Sequence, residues 1–418
     1  MNSFLKTTLA TVMVVSVGMM VFYVYEPKVA EAGWYATGGT WSYRKIITIN
    51  NSKVEGTSDL TNFPILVDLT DADLATYAQA DGDDILFTSS DGTTKLDHEI
   101  ELYTTATGRL TAWVRIPTLD YNDNTVIYMY YGNSGASSQQ NATGVWDSNY
   151  KGVWHMGQTV SSPSDLVLDS TSNANNASST GTSYPTQTSS KIAGGQDFDG
   201  SNDYLRVVQD DNSLDGNWST NDYTFQAWVN LDTNASSYKR IMTKWSGTNG
   251  WAFDAGDAAV PTTQIALYGS DGSGVLSRTT DWLTLDTWYH VTIVAQGNGN
   301  YASIYLNGSS VALLNNGDWS GLANTSNTTN VAIGILSTDL TSDPIDGTLD
   351  ELRFSNVARS ADWIATEYNN QSATSTFYTI SSAQTAEPVD VKIRGGGSAT
   401  NSNVKIRGGA GGGSVKFR

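Results

Sequence analysis

From Trp41 onward, apolar and polar residues alternate in short runs cut by Asp-Gly, Asn-Gly and Gly-Asn pairs, which mark turns between strands. In YTFQAWVNL, Tyr223, Phe225, Ala227, Val229 and Leu231 alternate with Thr224, Gln226, Trp228 and Asn230, the period of a strand with one buried face. YHVTIVA from Tyr289, YASIYLNG from Tyr301 and DELRFSN from Asp350 repeat the pattern. By this alternation Tyr223, Phe225, Tyr289 and Tyr301 take the core face, while Trp228, Trp288 and Tyr305 take the other, which a second layer can also cover. One later stretch has helical spacing: Ser360 to Asn370, with Ala361, Ile364, Ala365 and Tyr368 in phase and Ser360 placed as a cap. The pattern predicts an all-β protein built of sandwich or jelly-roll modules.

Two strand-rich regions emerge, about 41–140 and 150–370, joined by the connector GNSGASSQQNATG. Ahead of them, residues 1–32 combine a basic start ending at Lys6, an apolar run from Leu9 to Tyr25, Pro27, and Ala30-Glu31-Ala32, which predicts a secretory signal peptide cleaved after Ala32. The alternative is a retained anchor, since the run from Thr7 to Tyr25 approaches the roughly 20 residues that span a bilayer. Either reading places the remainder in the secreted or cell-surface compartment. Residues 371–418 read as a Ser/Thr-rich linker and a basic, Gly-rich tail with VKIRGG at Val391 and Val404 and VKFR at Val415. Such a tail suits disorder in solution, or attachment to an anionic envelope surface.

Charge and composition narrow the chemistry. The 418 residues carry 23 Lys+Arg against 42 Asp+Glu, a net charge of -19, which argues against a nucleic-acid partner. There is no Cys, so disulfides, thiolate metal sites and a cysteine nucleophile are excluded. The three His are scattered at His98, His155 and His290, leaving carboxylates to carry any catalysis. Glu99 and Glu101 alternate to one strand face, whereas the adjacent Asp350 and Glu351 are expected on opposite faces.

Several separated motifs resemble known families. DFDGSNDYL (Asp197 to Leu205), FQAWVN (Phe225 to Asn230), TWYHV (Thr287 to Val291), YLNG (Tyr305 to Gly308) and DGTLDELRFSNVARSADWIATEYNN (Asp346 to Asn370) resemble, in order, the laminin-G-like jelly rolls of the concanavalin A-like lectin and glucanase superfamily. WSYRKIITINN (Trp41 to Asn51), NFPILVDL (Asn62 to Leu69), DGDDILFTSSDG (Asp81 to Gly92), LDHEIE (Leu96 to Glu101), AWVRIP (Ala112 to Pro117) and YMYYGN (Tyr128 to Asn133) resemble the DUF2341 domain of prokaryotic surface proteins, a domain of unknown function. The resemblance implies two β-sandwich modules and leaves function open among lectins, adhesion modules and glycosidases. The glucanases' Glu-x-Asp-x-x-Glu strand does not occur here, which argues against an enzyme.

The expected function is therefore non-catalytic binding of a carbohydrate or glycoprotein. The alternatives are structural adhesion by protein contacts and a glycoside hydrolase with an unrecognised acid pair. Sugars stack apolar faces on aromatic rings, and Trp245, Trp251, Tyr268, Trp282 and Trp319 lie in or beside Gly-, Asn- and Asp-rich turns, where binding residues gather. Calcium wants six to eight oxygens, and Asp199-Gly200-Ser201-Asn202-Asp203 can supply carboxylates and carbonyls together. The family resemblance adds Asp350, so Asp199, Asp203 and Asp350 are the candidate Ca²⁺ ligands.

Overall fold

The structure, a computed structural model, describes residues 32–386 other than 208–211, 235–237, 258–259, 298–300 and 323–324, together with the strands Val12–Ser16 and Met19–Tyr23. The rest of residues 1–31, where the expected signal peptide or anchor falls, and the basic tail from Pro388 to Arg418 lie outside the described residues.

The first module is a two-sheet sandwich. One sheet is built on Tyr43–Ile49, Thr125–Tyr131, Leu86–Thr88 and Lys95–Leu96, and the other orders Leu60–Thr70, Arg109–Leu119 and His98–Thr104. In NFPILVDL, Phe63, Ile65 and Val67 point between the sheets and meet Ile47, Phe87, Val114 and Met129. Leu66, of opposite parity, is also buried, in a separate cluster with Trp113, Trp146 and Trp228. Both faces of that strand are thus covered.

The chain beyond Gln371 is not a linker throughout. The short helix Thr374–Phe377 leads into Tyr378–Ile380 and Gln384–Thr385, which pair antiparallel with Tyr43–Ile49 and complete the first module's sheet. Phe377 is fully buried and Tyr378 is 5% exposed, both in the first module's core. The sequence-based boundary fails because these strands of two and three residues are too short to show a period, and only long-range pairing reveals them.

The second module is a jelly roll of two antiparallel sheets. The inner sheet orders Thr186–Ser189, Gly194–Asp199, Asp346–Ser355, Asp222–Leu231, Tyr289–Gln296, Ala302–Leu306 and Ser309–Ser310, with Tyr150–Trp154 also on Asp346–Ser355. The outer sheet orders Ala177–Ser178, Leu205–Val207, Ala332–Ile333, Arg240–Trp245, Asn249–Asp257, Val260–Asp271, Gly274–Thr279 and Leu313–Asn316. Tyr223, Phe225, Ala227, Val229 and Leu231 face the core, as their alternation predicts. Tyr301 does not: it is 56% exposed, because Ala302 and Ile304 hold that strand's inward positions.

The helix Ala361–Ser372 lies between the modules. The Ser360 hydroxyl accepts from the Trp363 amide at 3.1 Å, the cap read from the sequence. Trp363 packs on Phe63 at 4.6 Å, and Asn370 bonds both backbone groups of Leu66. On the helix's other side Gln371 accepts from Trp228 Nε1 at 2.6 Å and Glu367 receives Gln226 and Arg353. This second layer buries Trp228, which is 1% exposed although it faces away from the jelly-roll core.

Candidate functional site

A cleft of about 300 Å³ opens on the outer sheet's outward face. Strand alternation builds it. Trp251, Phe253 and Ala255 turn into the core, leaving Ala252, Asp254 and Gly256 as lining, and on the neighbouring strand Ile265 and Leu267 turn inward while Gln264, Ala266 and Tyr268 line the cleft. Arg240, Asp254, Ala266 and Arg278 stand in register across four strands. Small side chains at Ala252, Gly256 and Ala266 leave the depression that larger residues border. At one border the Trp245 and Tyr268 rings lie 5.3 Å apart at 48°. At another, Arg240 stacks its guanidinium 4.3 Å from the Tyr238 ring centre.

The polar centre of the cleft is Asp254. Its Oδ2 accepts from Arg240 Nη1 at 2.7 Å, and Arg240 also holds Asp343 at 2.8 Å. Burial pushes the Asp254 carboxyl up to about 6 against the opposing pull of Arg240. Its other oxygen, Oδ1, is buried without a hydrogen-bond partner, and such an atom carries a desolvation cost. Flat rings beside polar side chains suit a sugar, whose apolar face stacks while its hydroxyls bond.

The structure divides the aromatic candidates. Trp245 and Tyr268 line the cleft together. Trp251 and Trp319 are fully buried, which corrects their reading as ligand contacts. Trp251 stacks on Phe354 at 5.6 Å and donates to the Leu214 carbonyl, and Trp319 packs on Trp218 at 5.1 Å and donates to Ser277. The Asn-Gly before Trp251 looks like a loop but opens the strand Asn249–Asp257, and parity then sends the ring inward. Trp282 is 61% exposed and is not part of the cleft lining.

The acidic candidates separate as well. Asp199 and Asp203 share a loop, the Asp199 amide donating to Asp203 Oδ2 at 3.1 Å, and Asp199 stands opposite Asp346 in the ladder. Burial, with repulsion from Asp199 and Asp197, pushes Asp203 up to about 6. Asp350 lies further along the same strand, fully buried, accepting from Ser190 Oγ and the Ile192 amide at 2.8 Å each. It does not join the loop, so the structure does not bring Asp199, Asp203 and Asp350 together as one set of ligands.

Asp350 belongs instead to a buried polar cluster between the modules. Between Asp350 and Arg353, two residues of Asp346–Ser355, Glu351 and Leu352, oppose the single Ala227 of Asp222–Leu231, and Glu351 has φ 50°, which marks a bulge. The bulge removes the strict alternation, so Glu351 joins Asp350 within reach of the first module, contrary to the opposite-face expectation. His155 Nδ1 lies 2.6 Å from Glu351 Oε1 and 3.7 Å from Glu101 Oε2, and Nε2 lies 3.3 Å from Glu99 Oε2. Glu99 and Glu101 do share a face, as their spacing predicts. Burial opposes the charge on His155, yet Glu351 and Glu99 hold its pKa well above the usual value. Burial and Glu351 raise Glu101 well above the carboxylate range. His98, of opposite parity, sits against Phe87, and burial pushes it down to about 4. No local signal pairs His155 with Glu351, because their meeting depends on sheet pairing and module docking.

Residues 199–365 match the model of the concanavalin A-like lectin/glucanases superfamily, and residues 81–153 match that of a domain of unknown function, DUF2341. No curated protein matches the chain. Among solved structures, the binding domain of Paraclostridial Mosquitocidal Protein 1 is similar at 14% identity and TM-score 0.39, over 51% of each chain. Domain 4 of AbnA, a GH43 extracellular arabinanase from Geobacillus stearothermophilus solved with arabinotriose, is similar at 16% identity and TM-score 0.37, over 51% of this chain and 98% of that one. The Ruminococcus gnavus IT-sialidase CBM40 bound to α2,3 sialyllactose follows at 11% identity and TM-score 0.33, over 41% and 96%. The alignment thus spans about half the length of the first of these.

Proposed function

We propose that this chain, a DUF2341 domain followed by a concanavalin A-like jelly roll, is an exported protein that binds a glycan or glycoprotein without cleaving it. The observation that carries the reading is the outer-sheet cleft, where the Trp245 and Tyr268 rings stand at the border of a depression that Arg240 and Gln264 also line. A pyranose face stacks on the rings while its hydroxyls meet the polar side chains of the lining. Glycoside hydrolysis needs two carboxyls flanking the bond, and Asp254 is the one acid among the cleft's described lining residues. Glu99 and Glu101, the other acid pair considered, have side chains only 14% and 5% exposed within the inter-module cluster. Calcium at the Asp199–Asp203 loop, and export through residues 1–32, belong to the same proposal.

The test is a glycan array on the full mature chain, run in calcium and in chelator. Saturable binding to one sugar class is expected, and a Trp245→Ala, Tyr268→Ala double variant should weaken it at least tenfold, about 1.4 kcal/mol. Trp251→Ala should lower the melting temperature instead, since its ring fills the core. An array blank in both conditions, or unchanged binding by the double variant, refutes the cleft. Adhesion through protein contacts would be indifferent to competing saccharide.

A further inference from the structure

The inter-module cluster has an organisation that ion pairing alone does not require. Glu101 comes from the first module on His98–Thr104, His155 follows Tyr150–Trp154, and Glu351 sits at the bulge of Asp346–Ser355. One donor atom from each falls within 4.8 Å of the other two. The Glu101 side chain is 5% exposed, its Oε2 faces the imidazole, and its Oε1 has no hydrogen-bond partner. Glu99, Asp350 and Glu367 stand around the three, with Arg353 bonding Glu351 and Glu367.

Each of the three also has an outer partner that orients it. Glu99 reaches His155 Nε2 at 3.3 Å, leaving Nδ1 toward Glu101 and Glu351, and Glu99 is itself fixed by Trp146 Nε1 at 3.0 Å and Ser170 Oγ at 2.6 Å. Trp113 Nε1 donates to Glu101 Oε2 at 3.1 Å, and Arg353 Nη2 to Glu351 Oε2 at 2.6 Å. A carboxylate on the far nitrogen of a histidine, with each ligating carboxylate bonded in turn, is how metal ligands are held in place.

The geometry points to a structural metal site: Glu101 Oε, His155 Nδ1 and Glu351 Oε1 hold one divalent transition cation of the Zn²⁺ type that clamps the first module to the jelly roll. One imidazole and two carboxylates match the borderline ligand set such ions accept, whereas Ca²⁺ takes oxygen alone. The ion would occupy the space between Nδ1 and the two carboxylates, with Glu351 giving up its direct bond to Nδ1.

The experiment uses the full mature chain and Zn²⁺ or Co²⁺ as probes. After loading and dialysis, elemental analysis should find about one Zn²⁺ per chain. Co²⁺ should give visible ligand-field absorption that Zn²⁺ displaces and excess Ca²⁺ does not, separating this site from the Asp199–Asp203 loop. Chelator should lower the melting temperature of the loaded protein. Glu101→Gln, which preserves shape, should retain less than about one-tenth of the metal. Trp113→Phe, which leaves the ligands and removes one outer hydrogen bond, should weaken Zn²⁺ about tenfold. A folded wild type that retains no Zn²⁺ and melts alike with and without chelator overturns the proposal, whatever the variants do. So does Glu101→Gln binding Zn²⁺ as tightly as wild type.

Discussion

A chain that stops at Ser372 lacks the segment that closes the first module, although that segment follows the whole jelly roll in sequence. The loss can be worked from the contacts. Phe377 is fully buried between the first module's sheets, and truncating such a side chain costs about 3–5 kcal/mol. Tyr378, 5% exposed, adds about 2 kcal/mol of burial, and its hydroxyl bonds the amide and carbonyl of Asp68 at 3.1 and 2.9 Å. Deletion also strands the Asn50 amide, which donates to the Phe377 carbonyl at 2.8 Å, and the Ile46 amide, which donates to Ser381 Oγ at 2.9 Å. The sum, roughly 5–7 kcal/mol, is comparable with the whole stability of a modest domain. Hydrogen exchange and urea unfolding of Gly33–Ser372 should therefore show Ile46 and Asn50 exchanging without protection and an early transition for the first module. A chain ending at Glu387, without only the tail, should behave as wild type. Phe377→Ala alone should lower stability by about 3–5 kcal/mol. Unchanged midpoints and protected Ile46 and Asn50 amides in the truncated chain would refute the closing role.

Two further outcomes follow from buried charge. Arg353 is 1% exposed, bonds Glu351 and Glu367, and lies 4.4 Å over the Trp113 ring; Arg353→Met should cost about 3–5 kcal/mol in urea unfolding because two carboxylates stay buried without their partner. Asp254 has its folded pKa raised to about 6 by burial, so between about pH 4 and 6 the unfolded chain releases that proton first and stability falls as pH rises. The loss approaches about 3 kcal/mol and is complete above the folded pKa. Asp254→Asn should flatten this slope in melts across that window, and an unchanged slope would assign it to other groups.

Local periodicity settled much of the fold in advance. The alternation of Tyr223, Phe225, Ala227, Val229 and Leu231 assigned their inward face, Ser360 marked the start of the helix Ala361–Ser372, and the ordered motifs from Asp197 to Asn370 indicated the jelly roll. Of the cleft, Trp245 and Tyr268 were legible as aromatic residues near turns; Asp254 and Arg240 were not, because their importance comes from standing side by side on neighbouring strands. Where local rules misled, a longer-range interaction had prevailed. Asn-Gly before Trp251 opened a strand rather than a loop, and the bulge at Glu351 overrode alternation. A strand's period reports which of its faces a neighbour covers, and that information is local. Which distant segment supplies the cover depends on complementary surfaces meeting only after collapse, so the return of Tyr378–Ile380 to the first module and the meeting of Glu101, His155 and Glu351 were decided by the tertiary structure alone.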